Sequence, residues 1–281
     1  MDKLPYLNLG CGSHFNRQWV NVDTLKSGED VIAHNLLEGV PFDDNSFEVV
    51  YHSHVLEHFQ KNDAPKFIAE CYRVLKPGGI IRIAVPDLEQ IVNNYTRLLN
   101  MGKADPGSEK IRADYDWIKI EMYDQTVRNV TGGEMANYLS AETLPNDDFV
   151  MERIGHEGYL IRQYFARLRE NPETKTDRLK KAVDKIKRNL SFRGFKYLVL
   201  KLLFNQEYKL MDIGKLRQSG EIHQWMYDIY SLGNLLRDAG FKNVEQKRFD
   251  ESSIPEWRSF GLDEINNTVR KPDSLFAEAI K

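Results

Sequence analysis

Cysteine is scarce in this chain: there are two in 281 residues. Cys11 and Cys71 lack the spacing of metal ligands, and so few thiols suit a reducing compartment better than a disulfide framework. No apolar run reaches the roughly 20 residues needed to span a bilayer. The first strand pattern follows almost at once on Met1, which leaves no room for a secretory leader, so a cytoplasmic protein is expected. An excess of charge of one sign is also missing: 39 Lys and Arg face 42 Asp and Glu, for a net charge of −3. No global field then points to nucleic acid, and no nucleic-acid partner is expected. Internal repeats and low-complexity tracts are absent too.

What is present is the patterning of a folded α/β protein, long enough for a large core with a substantial insertion. Short apolar runs at Tyr6–Leu9, Val20–Asp23, Val31–Ala33, Glu48–Tyr51 and Ile80–Val85 alternate with turn signals, as in a mainly parallel sheet. Between the last two, Phe67, Ile68, Cys71, Val74 and Leu75 recur at helical spacing and predict a helix from Ala64 to Leu75. Lys76-Pro77-Gly78-Gly79 should end it, because proline cannot continue a helix and glycine relieves the strain past its end. The style resumes near the C-terminus, with a helix at Ser231–Ala239 and strands at Val244–Phe249 and Ser274–Ile280. The expectation is a core from residues 1–100 and 225–281, with 101–224 as a helical insertion forming a lid or substrate-binding cap.

Within that insertion, residues 173–210 carry eleven Lys or Arg against four Asp or Glu, interleaved with aromatic and aliphatic residues. Such a stretch is a solvated helix face or a surface for peripheral contact with an anionic membrane or a phosphate-bearing substrate.

Gly10-x-Gly12 follows the first strand, where missing side chains let backbone N–H groups approach a ligand. Alone this is a weak signal. The next strand ends in Asp23, whose carboxylate can accept hydrogen bonds from both hydroxyls of a ribose, and the combination is more specific. The third glycine of a dinucleotide loop is replaced by Phe15, and Ser13–Gln18 is too short for a crossover helix. A pyrophosphate would then lack a helix N-terminus to bind, which counts against a nicotinamide oxidoreductase.

Further motifs follow: Asn35-Leu36-Leu37-Glu38, Pro41-Phe42-Asp43-Asp44-Asn45-Ser46-Phe47, Val55-Leu56-Glu57-His58, and Arg73-Val74-Leu75-Lys76-Pro77-Gly78-Gly79. Together with Leu9-Gly10-Cys11-Gly12 and Asp23, they resemble the type-11 group of class I S-adenosylmethionine-dependent methyltransferases over roughly residues 6–87. The resemblance implies a Rossmann-like, mainly parallel seven-stranded sheet with a C-terminal antiparallel hairpin, and S-adenosyl-L-methionine as cofactor. It implies that Asp23 holds the ribose, that Gly10, Cys11 and Gly12 pack on the methionine portion, and that Asn35 and the Leu36 N–H face the adenine. Asn35 stands where an aspartate is common and still offers a carbonyl acceptor to the adenine amine. Ser53, at the end of the fourth strand, is taken with the cofactor residues.

Methyl transfer from a sulfonium is an in-line displacement. The protein must align the acceptor, exclude water and, for an alcohol, take a proton. His54, His58 and His223 are the candidate bases, and loop bracing is the alternative role for the first two. His54-x-x-Glu57-His58 resembles the Glu-x-x-Glu-His of magnesium-dependent O-methyltransferases with its first acid replaced. Magnesium prefers oxygen ligands, so no metal is expected. Asp87 is either a substrate contact or a helix cap. Trp225 and Tyr227 suit a wall that binds a hydroxylated ring, or an aromatic hinge.

The His223-Gln224-Trp225-Met226-Tyr227-Asp228 segment and the Arg270-Lys271-Pro272-Asp273-Ser274-Leu275 tail are similar to methyltransferases of bacterial surface-polysaccharide pathways. The acceptor expected from that similarity is a sugar or glycan precursor. A non-catalytic binding module docking to a membrane or partner, and a methyltransferase of another small molecule, stay open. The sequence does not set an oligomeric state.

Overall fold

The computed structural model describes residues 3–170 and 203–281. Seven strands form one sheet: β1 (Tyr6–Leu9), β2 (Val20–Asp23), β3 (Val31–Ala33), β4 (Phe47–Ser53), β5 (Leu75–Pro86), β6 (Lys242–Lys247) and β9 (Ser274–Ile280). Their order is β3-β2-β1-β4-β5-β9-β6. All neighbours are parallel except β9, which runs antiparallel to both β5 and β6. This is the seven-stranded, mainly parallel Rossmann-like sheet expected above, and the C-terminal strands complete it. β7 (Glu264–Ile265) and β8 (Thr268–Val269) form a separate small hairpin.

Helix α1 (Ala64–Val74) starts with Pro65 in its first turn, where the missing N–H costs nothing, and buries Phe67, Ile68, Cys71 and Val74 on one face. Helix α7 (Ile229–Asp238) starts in a capping box made by Asp228 and Ser231 and buries Leu232 and Leu236. Both pack on the sheet face presented by Leu7, Leu9, Val50, Ile81, Ile83 and Ala277. The helix ends at Val74, just before the Lys76–Gly79 stop, but the strand expected from Ile80 already begins at Leu75, so that segment is the start of β5, with Gly78 at φ +78° as its one left-handed residue. A Cβ on Gly79 would lie 3.0 Å from the Glu48 carbonyl oxygen, so a glycine there lets β5 close on β4 at once.

Among the described residues the opposite face carries no α-helix between β1 and β2, which only ten residues separate. Irregular chain between β6 and β9 covers it, with Trp257, Phe260 and Leu262 packed on Trp19, Val49 and Tyr51. A single 3-10 turn at Leu36–Glu38 follows β3, and another at Leu56–His58 follows β4.

The remaining described helices are α2 (Leu88–Ala104), α3 (Glu109–Val127), α4 (Gly133–Leu139), α5 (Asp147–Glu170) and α6 (Asn205–Arg217). Trp117 and Ile118 of α3 form a second core with Ile91 and Leu98 of α2 and with Phe149, Val150 and Ile154 of α5. Within residues 101–224 the described elements are helices. Most of the basic 173–210 stretch lies outside the described residues. Among the described residues no helix is long and apolar enough to cross a membrane.

Candidate active site

The carboxyl ends of β1, β2 and β4 open onto two clefts that meet at Gly10 and His54. The larger, about 810 Å³, is lined by Asp23, the Asn35–Leu37 turn, Val55, His58 and Phe59, and by Arg217–Gly220 from the end of the insertion. The smaller, about 260 Å³, is lined by Gly10–His14, Ser53, Glu157, Arg270 and Lys271, together with Asn8 and Tyr51.

Gly10 sits at φ +64°, and a Cβ there would lie 2.3 Å from Val55 Cγ2, so both the turn and the adjoining wall require glycine. Gly12, at φ +56°, has open space where a Cβ would be, and its N–H donates to the Asp23 carboxylate at 2.8 Å. That carboxylate also accepts from the Leu25 N–H at 3.1 Å, which fixes its orientation at the cleft edge. Asn35 uses Oδ1 to cap the 3-10 turn, accepting from the Leu37 N–H at 3.1 Å; its amide donates to Glu38 at 3.2 Å. The carbonyl assigned to an adenine amine therefore already serves the backbone, although its second lone pair remains. The sequence signal at Asn35 was read for the ligand alone and missed the cap.

Cys11 and Ser53 line the smaller cleft rather than the larger. Burial, with Asp23 nearby, pushes the Cys11 thiol up to about 12, so it stays a neutral, unreactive wall.

The three histidines differ. His54 adopts φ +54°, and its Nε2 lies 2.8 Å from Ser274 Oγ. Its Nδ1 is 3.1 Å from Glu57 Oε1 but off the axis of a hydrogen bond. With Nε2 engaged by Ser274 and Nδ1 facing the buried Glu57 carboxyl, neither ring nitrogen is presented freely to the cleft. His58 lines the larger cleft, with Nδ1 3.2 Å from the Ile222 carbonyl oxygen. That contact calls for an N–H at Nδ1 and leaves Nε2 with the free lone pair. His223 is buried behind it, ring centroids 4.9 Å apart, and lines neither cleft. Burial lowers the proton affinity of all three, His54 and His223 most, so they are neutral near pH 7.

Glu57 is wholly buried, and burial pushes its carboxyl up to about 8. Its backbone carbonyl accepts from the N–H groups of Gln224 (2.6 Å) and Trp225 (3.2 Å), tying the end of the insertion to the loop after β4. Glu57, His58 and His223 bring potential ligand atoms within 4.8 Å of one another. This set was not the one read from the sequence, because His54 is turned to Ser274 and His223 comes from 165 residues along the chain.

The assigned substrate residues stand apart from both clefts. Asp87 caps α2, accepting from the Gln90 N–H at 3.2 Å, and is buried; capping is its role here, not substrate contact. Tyr227 is buried and its hydroxyl is pushed up to about 12, so it acts as the hinge side chain rather than a wall of the cleft. Trp225 is partly exposed under the Lys61 ammonium, 4.5 Å from the ring centroid, and lines neither cleft. Residues that the sequence reading missed include Glu157, Arg270 and Lys271. No local motif marks them as ligand groups, and only the fold brings α5 and the strand before β9 to the glycine turn.

Residues 14–83 match a family model described as a methyltransferase domain. Over 56 residues the chain is 39% identical to a protein of Mycolicibacterium smegmatis named "Probable S-adenosylmethionine-dependent methyltransferase", covering 20% of this chain and 21% of that one. Over 48 residues it is 46% identical to "Probable methyltransferase ltbC" of Aspergillus luteorubrus, covering 17% of each. The chain thus matches about a fifth of the length of these curated relatives. Among solved structures, a SAM-dependent methyltransferase from Archaeoglobus fulgidus aligns over all of this chain and 86% of its own, with 12% identity and a TM-score of 0.39. One from Mesorhizobium loti aligns over all of this chain and 92% of its own, with 12% identity and a TM-score of 0.37. The family match falls within the motif-bearing core, on residues 14–83.

Proposed function

We propose that this chain transfers the methyl group of S-adenosyl-L-methionine to an oxygen of a sugar or glycan precursor, in the manner of bacterial surface-polysaccharide pathways. The observation that carries the reading is the convergence of Asp23, Gly10 and the Asn35–Leu37 turn on one cleft, with His58 on its wall. The cleft suits the cofactor: Gly10 leaves the approach open where any side chain would strike Val55, and Asp23 presents a fixed carboxylate to a ribose. The cofactor supplies an electrophilic methyl on a positively charged sulfur.

This chain's part is to hold and align. Leu36 and Leu37 provide an apolar edge for the purine beside the Asn35 cap, and Asp23 accepts from the ribose hydroxyls. His58 serves as proton acceptor at Nε2, with Nδ1 held by the Ile222 carbonyl; Glu57 and His54 brace the loop. The insertion contributes Arg217–Gly220 as the outer wall, which excludes water from the acceptor. We place the protein in the cytoplasm, with the basic 173–210 segment available for contact with the inner face of a membrane.

The test is turnover with nucleotide sugars and glycan extracts, following S-adenosylhomocysteine release. His58→Gln should lower kcat by about 100-fold or more, within the range of general-base losses, while S-adenosylhomocysteine still binds. Binding without turnover on any acceptor would favour a non-catalytic module; full activity in His58→Gln would remove the base assignment.

A further inference from the structure

We infer that Arg270, Lys271 and Glu157 form a receptor for the amino-acid arm of the cofactor, so that the insertion and the C-terminal segment select ligands carrying that arm. The inference rests on the proposed cofactor and concerns the smaller cleft.

The two clefts differ in chemistry. The larger offers a carboxylate for hydroxyl groups and apolar side chains for a ring. The smaller, joined to it at Gly10 and His54, gathers two cations and one carboxylate. An elongated ligand with a nucleoside at one end and a zwitterion at the other matches that pair of chambers in order. Lys271 Nζ lies 3.1 Å and Arg270 Nη1 3.4 Å from the same oxygen, Glu157 Oε1. Arg270 Nη2 donates to Ser53 Oγ at 3.3 Å, and its Nε is buried without a hydrogen-bond partner among the described residues. Asp263 and Asp273 also lie near enough to interact electrostatically with Arg270 and Lys271 respectively, but neither supplies the Arg270 Nε–H with an acceptor, and a buried guanidinium N–H without one is costly. An α-carboxylate would supply the acceptor, in the fork geometry that arginine favours. Glu157, about half exposed, would then meet the α-ammonium.

The backbone shows how three distant residues are brought here. Helix α5 breaks at Gly155, with φ 56° and ψ −135°, a conformation open only to glycine. A Cβ at that position would lie 2.5 Å from Pro272 Cδ, so the break lets α5 press against the Arg270–Pro272 segment and sets Glu157 two residues on. The Arg270 N–H in turn donates to the Asp263 carbonyl at 2.9 Å, anchoring the segment to the covered sheet face.

The experiment is calorimetric titration of the full chain with S-adenosylhomocysteine and with 5′-methylthioadenosine, which keeps the nucleoside and sulfur and lacks the amino-acid arm. The wild type should bind S-adenosylhomocysteine at least about 30-fold more tightly, as expected for charge-assisted hydrogen bonds. Arg270→Gln should erase most of that preference and leave methylthioadenosine binding unchanged. Glu157→Gln, at a half-exposed site where folding is not at risk, should reduce the preference by about 5-fold or more. Equal affinity of the wild type for both ligands, or equal loss of both in the variants, would overturn the inference while leaving the nucleoside site intact. Binding of neither ligand would instead overturn the cofactor reading on which it rests.

Discussion

The two faces of the sheet are built on different principles. Over one, α1 and α7 lay down apolar side chains, and the stability comes from area removed from water. Over the other, where the β1–β2 connection is too short for a helix, irregular chain is fastened by directed polar bonds. Arg82 is wholly buried there. It pairs with Asp263 at 2.8 Å and Glu278 at 2.7 Å, donates to the carbonyls of Arg248, Phe249 and Glu251, and stands 4.4 Å over the Trp257 ring. Loops cannot bury their backbone without partners, so a covering without helices needs such a hub. The same covering runs on through β8 into the Arg270–Asp273 connection, which brings Arg270 and Lys271 to the smaller cleft.

The sharpest way to break this comparison is to strike each face once. Arg82→Met should cost about 3–5 kcal/mol, because Asp263 and Glu278 are left buried and unpaired. Ile83→Val on the helix-covered face should cost about 0.5–1.5 kcal/mol. Urea denaturation of both variants measures the difference, and comparable losses would show that the hub carries no special weight.

A second test uses the polar exception on the helix-covered face. His52 is wholly buried against Phe67, neither ring nitrogen has a partner, and burial pushes it down to about 3. The unfolded chain takes up this proton below about pH 6.5, whereas the folded chain does so only near 3. Its contribution to stability is therefore present above 6.5 and is lost as pH falls toward 3. At pH 5 the loss is about 2 kcal/mol. His52→Leu should remove that slope, so the variant gains on the wild type as pH falls from 7 to 5; parallel curves would contradict it.

Much of the fold was legible because its signals are local. The strand ends at Asp23 and Ala33, the α1 face through Phe67 and Cys71, and the body of α7 from Ser231 are each set by a few neighbouring residues, while its start two residues earlier, at the Asp228 cap, was not read. The start of β5 was not legible: Lys76–Gly79 carries stop signals, yet Gly79 is needed where β5 meets the Glu48 carbonyl, a contact between strands. At the clefts, Gly10, Gly12, Asp23, Asn35, Leu36 and His58 could be singled out because a contiguous pattern carries them, and each lines one of the two clefts. Asp87 was read as a substrate contact or a cap from its position after a strand, and Tyr227 as a ring-binding wall or a hinge from the aromatic segment it lies in; both are buried and line neither cleft. Glu157, Arg270 and Lys271 escaped because their meeting depends on the break at Gly155 packing against Pro272, and nothing within ten residues of either announces the other.

The central claim is that Asp23 and the glycine turn hold the nucleoside end of S-adenosyl-L-methionine. It is tested most directly by calorimetric titration of S-adenosylhomocysteine into the wild type, Asp23→Ala and Asp23→Asn. The account predicts saturable one-to-one binding to the wild type and a loss of about 30-fold or more in Asp23→Ala, the size expected when charge-assisted hydrogen bonds are removed. Asp23→Asn, which keeps an oxygen for the Gly12 N–H, should fall between them. No binding by the folded wild type, or equal affinity in all three proteins, would contradict it.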